Sequence, residues 1–310
     1  MEFVDLVSSS SLPESSTAVS LPLFILGGAF YPQGISYLNV FEMKYRTMMF
    51  DISRGDDTFG YIYSDAGRIA SVGTLCKVTN RQLLEDGRQF IAFEGVSRFK
   101  VRRILKTLPY VVAEVEPNLE DELPMDPQEA VKLELDAYDS LKYYMRLMKS
   151  HPNTKVRLSL LTRSHSLKDL VITPAAKDCR PSPGAAGDLQ SLRQRMSRFS
   201  FSLANMIQMT SGRYCGTAHL AYSLSVRESQ LLLQTTDVTQ RLGAEKAILS
   251  EASELVADKL VSSGVLSADK RDELKMRSLT SPFDEDILPA DAEASVSTGE
   301  KDEWDISNIE

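Results

Sequence analysis

The sequence lacks the features that would place it in several common classes of protein. No apolar run approaches the roughly 20 residues that a membrane-spanning helix requires, so we expect no membrane partner. Only three cysteines occur in 310 residues, and such an odd, sparse set does not form the disulfide framework of a small secreted protein. The Ser-rich start of the chain contains acidic residues, unlike a secretory signal or a transit peptide. We therefore expect a reducing, intracellular compartment: the cytoplasm, a plastid such as the chloroplast, or a mitochondrion.

The motifs of common enzymes are absent as well. The chain contains no Gly-Lys pair and so has no Walker A motif, whose lysine reaches the phosphates of a nucleotide. The segment 95–99, Gly-Val-Ser-Arg-Phe, lacks the final glycine of the nucleophile elbow of serine hydrolases. No Gly-x-Gly-x-x-Gly motif follows a predicted strand. We therefore expect no enzyme, no catalytic residue and no cofactor.

The few histidines and cysteines do not form a recognisable metal site. His219 lies four residues after Cys215, so the two could share a helix face, whereas Cys179, His151 and His165 lie further upstream. A structural zinc site requires four ligands, usually with closely spaced cysteine pairs, which this sequence lacks. A nucleophilic Cys–His pair would need a third group to orient it. We interpret Cys215 as a small buried or loop residue and expect no metal.

Negative charge is concentrated at one end of the chain. The formal net charge is −8, but residues 284–310 alone contain ten acidic residues and one lysine. The remaining residues are nearly neutral, with 34 basic and 33 acidic side chains. We expect an acidic, disordered tail over 284–310, in which Trp304 could serve as a docking residue, and a flexible leader over 1–19.

Short apolar segments separated by turn residues occupy residues 20–120. Pro22 suggests that the first strand lies at a sheet edge. Asp86-Gly87 between two apolar segments predicts a hairpin with a two-residue type I′ turn. Strands at this spacing are typical of a closed or nearly closed antiparallel barrel. We predict a short helix over 42–50 and strands over 21–26, 35–40, 58–63, 69–79, 82–85, 88–94, 97–104 and 110–116.

Helical patterns replace the strands after residue 126. Asp126, followed by proline at the first helical position and glutamate at the third, predicts a helix start, and Ser225 opens a second capping box. An apolar stripe predicts a long helix over 238–260, with Gly264 as its stop. Residues 151–189 lose the helical period, and we expect a loop insertion there. The patterns together indicate an α+β protein with a helical subdomain over 126–277.

One predicted strand carries a basic face. Arg98, Lys100 and Arg102 alternate with Phe99 and Val101, and a period of two places the three cations on one side of the strand. Such a face could contact the phosphates of RNA. A nucleic-acid-binding domain is usually clearly basic, whereas residues 1–283 are nearly neutral, so nucleic acid is not the expected partner. The alternative is a solvated outer strand face without a ligand.

Several short motifs follow one another along the β module: Leu21-Pro22-Leu23-Phe24, the Pro32 loop, Phe41-Glu42-x-x-Tyr45-Arg46-x-Met48, Phe59-Gly60, Val72-Gly73-Thr74, Asp86-Gly87-Arg88 and Glu94-Gly95-x-x-Arg98-Phe99-x-Val101. In order and spacing they resemble the LON domain, the N-terminal substrate-recognition domain of Lon-type ATP-dependent proteases. The stretch 200–242 also resembles the helical half of stand-alone members from plants and algae.

This resemblance implies a PUA-like β pseudobarrel over 20–120, followed by a helical bundle subdomain. It further implies a non-catalytic module that binds unfolded or degron-bearing polypeptides in protein quality control. Such a module would recognise substrates or act as an adaptor to a separate protease or ligase. Lon proteases carry an ATPase and a Ser–Lys peptidase after this domain, and neither is expected here. The alternatives are an RNA-binding PUA-like module and a diverged peptidase subunit. The resemblance names no binding face, so Arg98, Lys100 and Arg102 are the candidate binding residues.

Overall fold

The computed structural model describes residues 1–6, 18–150, 189–210 and 224–280. These residues form eight strands: β1 (Phe3–Asp5), β2 (Val19–Leu26), β3 (Ile35–Val40), β4 (Thr58–Asp65), β5 (Arg68–Ala70), β6 (Val72–Leu83), β7 (Gln89–Lys106) and β8 (Val112–Pro117). They also form six helices: α1 (Met43–Ile52), α2 (Pro127–Ser150), α3 (Leu189–Thr210), α4 (Val226–Gln234), α5 (Val238–Ser262) and α6 (Ala268–Thr280). The α+β class is confirmed. Among the described helices, none has the length and apolar character needed to cross a membrane.

Several expected features lie outside the described residues. They are the insertion up to residue 188, the acidic tail, Trp304, Cys179, Cys215, His151, His165 and His219. Most of the expected leader also lies outside, but its first residues form β1, which pairs antiparallel with β5 from Phe3↔Ala70 to Asp5↔Arg68. The Phe3 ring anchors this short strand, since it lies 4.9 Å from the Arg68 guanidinium and 6.4 Å from the Tyr63 ring.

Five strands close into a ring in the order β4, β2, β8, β7, β6 and back to β4. Four of these pairings are antiparallel, as predicted, but β2 and β4 run parallel, from Leu23↔Gly60 to Leu26↔Tyr63. The parallel pairing arises because β3 and α1 intervene between β2 and β4 and form a crossover that returns the chain in the same direction. With β1, β3 and β5 outside the ring, the sheet forms the expected pseudobarrel.

Two local predictions are wrong. Pro22 does not mark an edge strand, because β2 lies between β8 and β4; it is tolerated since the pairing with β4 begins only at Leu23. The Asp86-Gly87 hairpin is present, but its loop spans residues 84–88 and is not a type I′ turn. Only Gly87 has a positive φ, of 78°, while the Asp86 carboxylate accepts a hydrogen bond from the Arg88 N–H at 2.9 Å.

Two glycines of the ring strands make room for one aromatic ring. Phe99 is fully buried in the cluster that fills one side of the pseudobarrel. A Cβ atom at Gly60 would lie 2.8 Å from the Phe99 ring, and one at Gly73 would lie 2.5 Å from it. Both distances are shorter than real Cβ contacts. The packing around Phe99 therefore requires glycine at both positions, in the Phe-Gly motif of β4 and the Val-Gly motif of β6.

Three helix boundaries lie where the sequence predicts: the starts of α2 and α4 and the end of α5. The Asp126 carboxylate accepts hydrogen bonds from the second and third N–H groups of α2, at 2.9 and 3.2 Å. Ser225 forms the predicted reciprocal capping box with Glu228, and Gly264, with a φ of 72°, follows the end of α5. The helices share one apolar core with the β module, to which the module contributes Ala29, Tyr31 and Val72.

Candidate functional site

The first candidate cation, Arg98, lies between the sheet and the helices. Only 2% of its surface is exposed. Its Nη2 atom lies 2.5 Å from the Asp121 carboxylate, and its Nη1 atom donates hydrogen bonds to the main-chain oxygens of Leu233 and Thr235, at 3.0 and 2.9 Å. Arg98 therefore joins β7 to the segment before α2 and to the end of α4. Its guanidinium is not available to a ligand at the surface.

A second buried arginine completes this ionic cluster. Arg241 of α5 donates to both oxygens of Asp121, at 2.8 and 2.6 Å, and its Nε atom donates to the Ser200 hydroxyl at 2.7 Å. Both guanidinium groups also lie against the Phe201 ring, 5.1 Å for Arg98 and 4.2 Å for Arg241. Sequence reasoning missed Asp121 and Arg241, which together with Arg98 join five segments of the chain: β7, the segment before α2, α3, the end of α4, and α5.

The pKa values of two carboxyl groups in this region, Asp121 and Glu245, are shifted in opposite directions. Burial acts to raise the pKa of Asp121, but the hydrogen bonds and charges of Arg241 and Arg98 hold it below its ordinary value. Burial raises the pKa of Glu245 to about 8, against the opposing effects of Arg241 and the Ser200 hydroxyl. Asp121 is therefore the ionised partner of the two arginines, whereas Glu245 holds its proton at neutral pH.

Lys100 and Arg102 lie apart from this cluster, on the outer side of β7. Lys100 is exposed, and it pairs in register with Glu116 of β8. The Arg102 Nε atom lies 3.6 Å from the same Glu116 carboxylate, and neighbouring Arg103 pairs with Glu114 at 2.6 Å. The three candidate cations thus do not share one exposed face, and two basic residues at this end of β7, Arg102 and Arg103, lie beside carboxylates of β8. A binding role for Lys100 and Arg102 stays a prediction.

The α1 helix presents a different surface. Its inner side, with Tyr45, Met48 and Met49, is buried in the second core cluster of the pseudobarrel. Side-chain contacts fix the helix: the Arg81 guanidinium of β6 donates to the Met49 main-chain oxygen at 2.6 Å, and the Tyr110 hydroxyl donates to an Asp51 carboxylate oxygen at 2.6 Å. The helix is therefore held against the sheet along its length.

The outer side of α1 is apolar and exposed. Met43 and Phe50 are 68% and 52% exposed, and their spacing of seven residues places them on the same side of the helix, two turns apart. Phe41, immediately before the helix, is 64% exposed. Leu83 and Leu108 are 71% and 80% exposed. We call these five side chains the α1 surface.

The segments that carry Leu83 and Leu108 both contact α1. The 84–88 loop follows Leu83 and touches the helix, since a Cβ atom at Gly87 would lie 2.1 Å from the Arg46 guanidinium. Leu108 lies two residues before Tyr110, whose hydroxyl binds α1. A cation also lies on the surface, because the Arg54 guanidinium is 4.2 Å from the centre of the Phe50 ring. The α1 surface is thus a set of exposed apolar side chains on α1 and on segments that contact it, with charged side chains nearby, and exposed apolar groups with charged neighbours are common at interaction sites.

A cleft of about 530 Å³ lies where the segment before α2 meets the first turns of α2 and α5. Three of its carboxylates already have structural roles: Asp126 and Asp237 cap the two helices, and Asp136 pairs with Lys246 at 2.7 Å. Among the described residues, no group of three or more His, Cys, Asp and Glu could hold a metal ion. The one described cysteine, Cys76, is buried as a free thiol, and burial raises its pKa, so it is not a poised nucleophile.

One family model matches most of the chain. The model of the ATP-dependent protease La (LON) substrate-binding domain matches residues 20–251. A Lon N-terminal domain protein from Xanthomonas campestris is 22% identical, with a TM-score of 0.42, over 74% of this chain and 98% of that one. The N-terminal domain of the Mycobacterium avium complex Lon protease is 14% identical, with a TM-score of 0.43, over 75% of this chain and 99% of that one. No curated protein matches significantly.

Proposed function

Because the chain belongs to the family of LON substrate-binding domains, we propose that it is a non-catalytic module that binds unfolded or degron-bearing polypeptides and commits them to proteolysis. The proposal includes an adaptor role in protein quality control, in which a separate protease or ligase receives the bound polypeptide. The odd, sparse cysteines support a reducing, intracellular site of action, in the cytoplasm, a plastid or a mitochondrion.

The α1 surface is the observation that carries this proposal. An unfolded polypeptide differs from a folded one chiefly in the apolar side chains that it exposes to water. The five apolar side chains of the α1 surface lie on a helix and on neighbouring segments that α1 contacts. Because this support is fixed, little conformational entropy is lost when a ligand covers it.

Within the described residues, neither alternative function has a site comparable to the α1 surface. RNA binding would need a group of unpaired cations, but of the three candidates Arg98 is buried and Arg102 lies beside Glu116, which leaves Lys100 as the exposed one. A peptidase would need an activated nucleophile beside a base. In the described part of the chain the strongest ionic cluster, around Asp121, is buried and holds the fold together.

Fluorescence anisotropy tests the proposal. A labelled, permanently unfolded protein such as reduced and carboxymethylated lactalbumin is titrated with the purified chain, and the folded, disulfide-intact form of the same protein is the ligand control. We expect binding of the unfolded form only. Combined Met43→Ser and Phe50→Ser substitutions should weaken it about thirtyfold, at about 1 kcal/mol for each contact.

A matched double variant controls for the loss of any two exposed apolar side chains. Leu255 of α5 and Met276 of α6 are 46% and 60% exposed and belong to the helical subdomain. Leu255→Ser with Met276→Ser should leave the affinity within about twofold of the original. Equal losses in the two double variants, or no binding of the unfolded protein at all, would contradict the proposal.

A further inference from the structure

The cleft between the starts of α2 and α5, which we call the α2–α5 cleft, is lined by apolar as well as charged side chains. Its volume of about 530 Å³ is in the range of sites that bind ligands. Ala130 and Leu133 of α2 line it and belong to, or pack against, the core that the helices share. Leu123 and Met125, in the segment before α2, also line it and are 50% and 100% exposed. The cleft therefore offers apolar surface to a ligand.

The elements that form the α2–α5 cleft are held in place. The two helices begin side by side, since Asp136, nine residues after the start of α2, pairs at 2.7 Å with Lys246, eight residues after the start of α5. The segment before α2 is anchored by Asp121 in the buried ionic cluster, and the Glu122 N–H donates to the Thr236 main-chain oxygen at 2.8 Å. A ligand would therefore meet a preformed site, which reduces the entropy lost on binding.

The charge of the α2–α5 cleft is negative. Acidic side chains occupy five of its lining positions, whereas Lys132 is the one basic side chain among the described lining residues. The five are Glu122, Asp126, Glu129, Asp136 and Asp237. When Lys246, the partner of Asp136, is included, five negative and two positive charges leave a net formal charge of −3. A site of this sign attracts cationic groups and disfavours anions.

The two helix starts do not convert the cleft into an anion site. The first N–H groups of a helix usually attract an anion. Here Asp126 and Asp237 already accept hydrogen bonds from the second and third N–H groups of α2 and α5, at 2.9–3.2 Å. Glu122 and Glu129 are exposed and cap neither helix, so a cation of a ligand can reach them.

We propose that the α2–α5 cleft binds a basic, apolar segment of a partner protein. Lysine or arginine side chains of the segment pair with Glu122 and Glu129, and its apolar side chains pack on Leu123 and Met125. A polypeptide carries both kinds of group on one chain, and arginine can pair with a carboxylate through two hydrogen bonds. This inference goes beyond the proposed function, since the cleft shares no residue with the α1 surface. An adaptor would hold its substrate on one surface and its protease or ligase on the other.

Fluorescence anisotropy with defined peptides tests the inference. The probe is a labelled, end-capped, ten-residue peptide of alternating leucine and arginine. One comparison peptide has glutamate in place of every arginine, and the other has serine in place of every leucine. We expect the leucine–arginine peptide to bind at least about tenfold more tightly than either. Its affinity should fall as the salt concentration rises from about 50 to about 500 mM, because salt screens charges at an exposed site.

Removal of charge locates the binding. Glu122→Gln combined with Glu129→Gln keeps the shape of both side chains and should weaken binding of the leucine–arginine peptide about tenfold. The matched control is Glu251→Gln combined with Glu273→Gln, which removes two exposed carboxylates of α5 and α6 and should leave the affinity within about twofold. Equal losses in the two double variants would overturn the inference.

A second pair of variants tests the apolar contacts. Leu123→Ser combined with Met125→Ser should also weaken binding about tenfold, whereas Met43→Ser with Phe50→Ser in the α1 surface should leave it within about twofold. Urea midpoints confirm that each variant is folded. Equal affinities for the three peptides, or a loss in the α1 variant alone, would overturn the inference. So would a dimer that the glutamate substitutions of the cleft dissociate, because the occupant would then be a second copy of the chain.

Discussion

The ionic cluster around Asp121 predicts that one buried carboxylate carries much of the stability of the fold. In Asp121→Asn the side chain keeps its shape, but its amide presents donors where Arg98 and Arg241 also present donors. Two guanidinium groups then remain buried without their counter-charge. Removal of one partner of a buried ion pair costs about 3–5 kcal/mol, which is a large share of the 5–15 kcal/mol that stabilises a typical protein.

Urea unfolding followed by far-ultraviolet circular dichroism measures this loss. We expect the midpoint of Asp121→Asn to fall by about 1–2 M. The control is Asp258→Asn, which removes a carboxylate that is 65% exposed and pairs with Arg271 at 2.8 Å. An exposed pair contributes less than about 1 kcal/mol, so this midpoint should hardly move. Equal shifts in the two variants would refute the idea that the cluster joins the sheet to the helices.

The pH dependence of the same variant gives a second readout. The pKa of Asp121 is held below its ordinary value in the folded state. Its ionised form therefore stabilises the fold above the unfolded pKa of about 4, and this contribution is lost as the pH falls through the folded value. The difference in urea midpoint between the original protein and Asp121→Asn should be largest at pH 7 and should become smaller below pH 4. A difference that stays constant down to acid pH would indicate that the charge of Asp121 is not the cause.

Three further perturbations test other parts of the fold. Burial raises the pKa of Glu245 to about 8 in the folded state, well above the ordinary glutamate value of about 4 that applies to the unfolded chain, so the folded protein holds a proton that the unfolded chain loses. The free energy of unfolding should therefore fall as the pH rises from about 5 to 8. In urea unfolding at a series of pH values, Glu245→Gln should remove this pH dependence and raise the midpoint at pH 8. Gly73→Ala should lower the melting temperature and cost about 2 kcal/mol of stability, because the added Cβ would lie 2.5 Å from the Phe99 ring. The control is Gly243→Ala in α5, whose added Cβ meets nothing within 4 Å, and it should leave the melting temperature unchanged or raise it. Ser225→Ala should cost about 1 kcal/mol by removing the capping box of α4, and no change in chemical unfolding would contradict the assignment.

The sequence predicted the features that local chemistry determines. Helix starts at Asp126 and Ser225 were predictable because capping uses residues next to each other in the chain. The class followed from the strand and helix patterns, and the family resemblance followed from motifs that include Gly60 and Gly73, which the structure explains by the packing of Phe99. The parallel pairing of β2 with β4 was not predicted, because it depends on the path of the β3–α1 crossover between them and not on the residues of either strand.

The binding residues were harder to predict, for a physical reason. A period of two tells which side of a strand Arg98 occupies, but not that helices cover that side. Asp121 lies between two other acidic residues and has no local feature that marks it as buried. Glu245 was the one available signal, because a charged residue on the apolar stripe of a helix indicates a buried polar contact. The α1 surface was not predicted, since exposed apolar side chains look like core residues in a sequence.

Site-specific photo-crosslinking tests the central claim most directly. A photoreactive amino acid is placed at position 43 in the α1 surface or, as a control, at position 255 in α5, and each protein is irradiated with an unfolded client protein. The account predicts crosslinks from position 43 that an excess of unlabelled unfolded protein abolishes, and none above background from position 255. Crosslinks that are equally strong at both positions, or stronger at position 255, would show that the α1 surface is not where polypeptides bind.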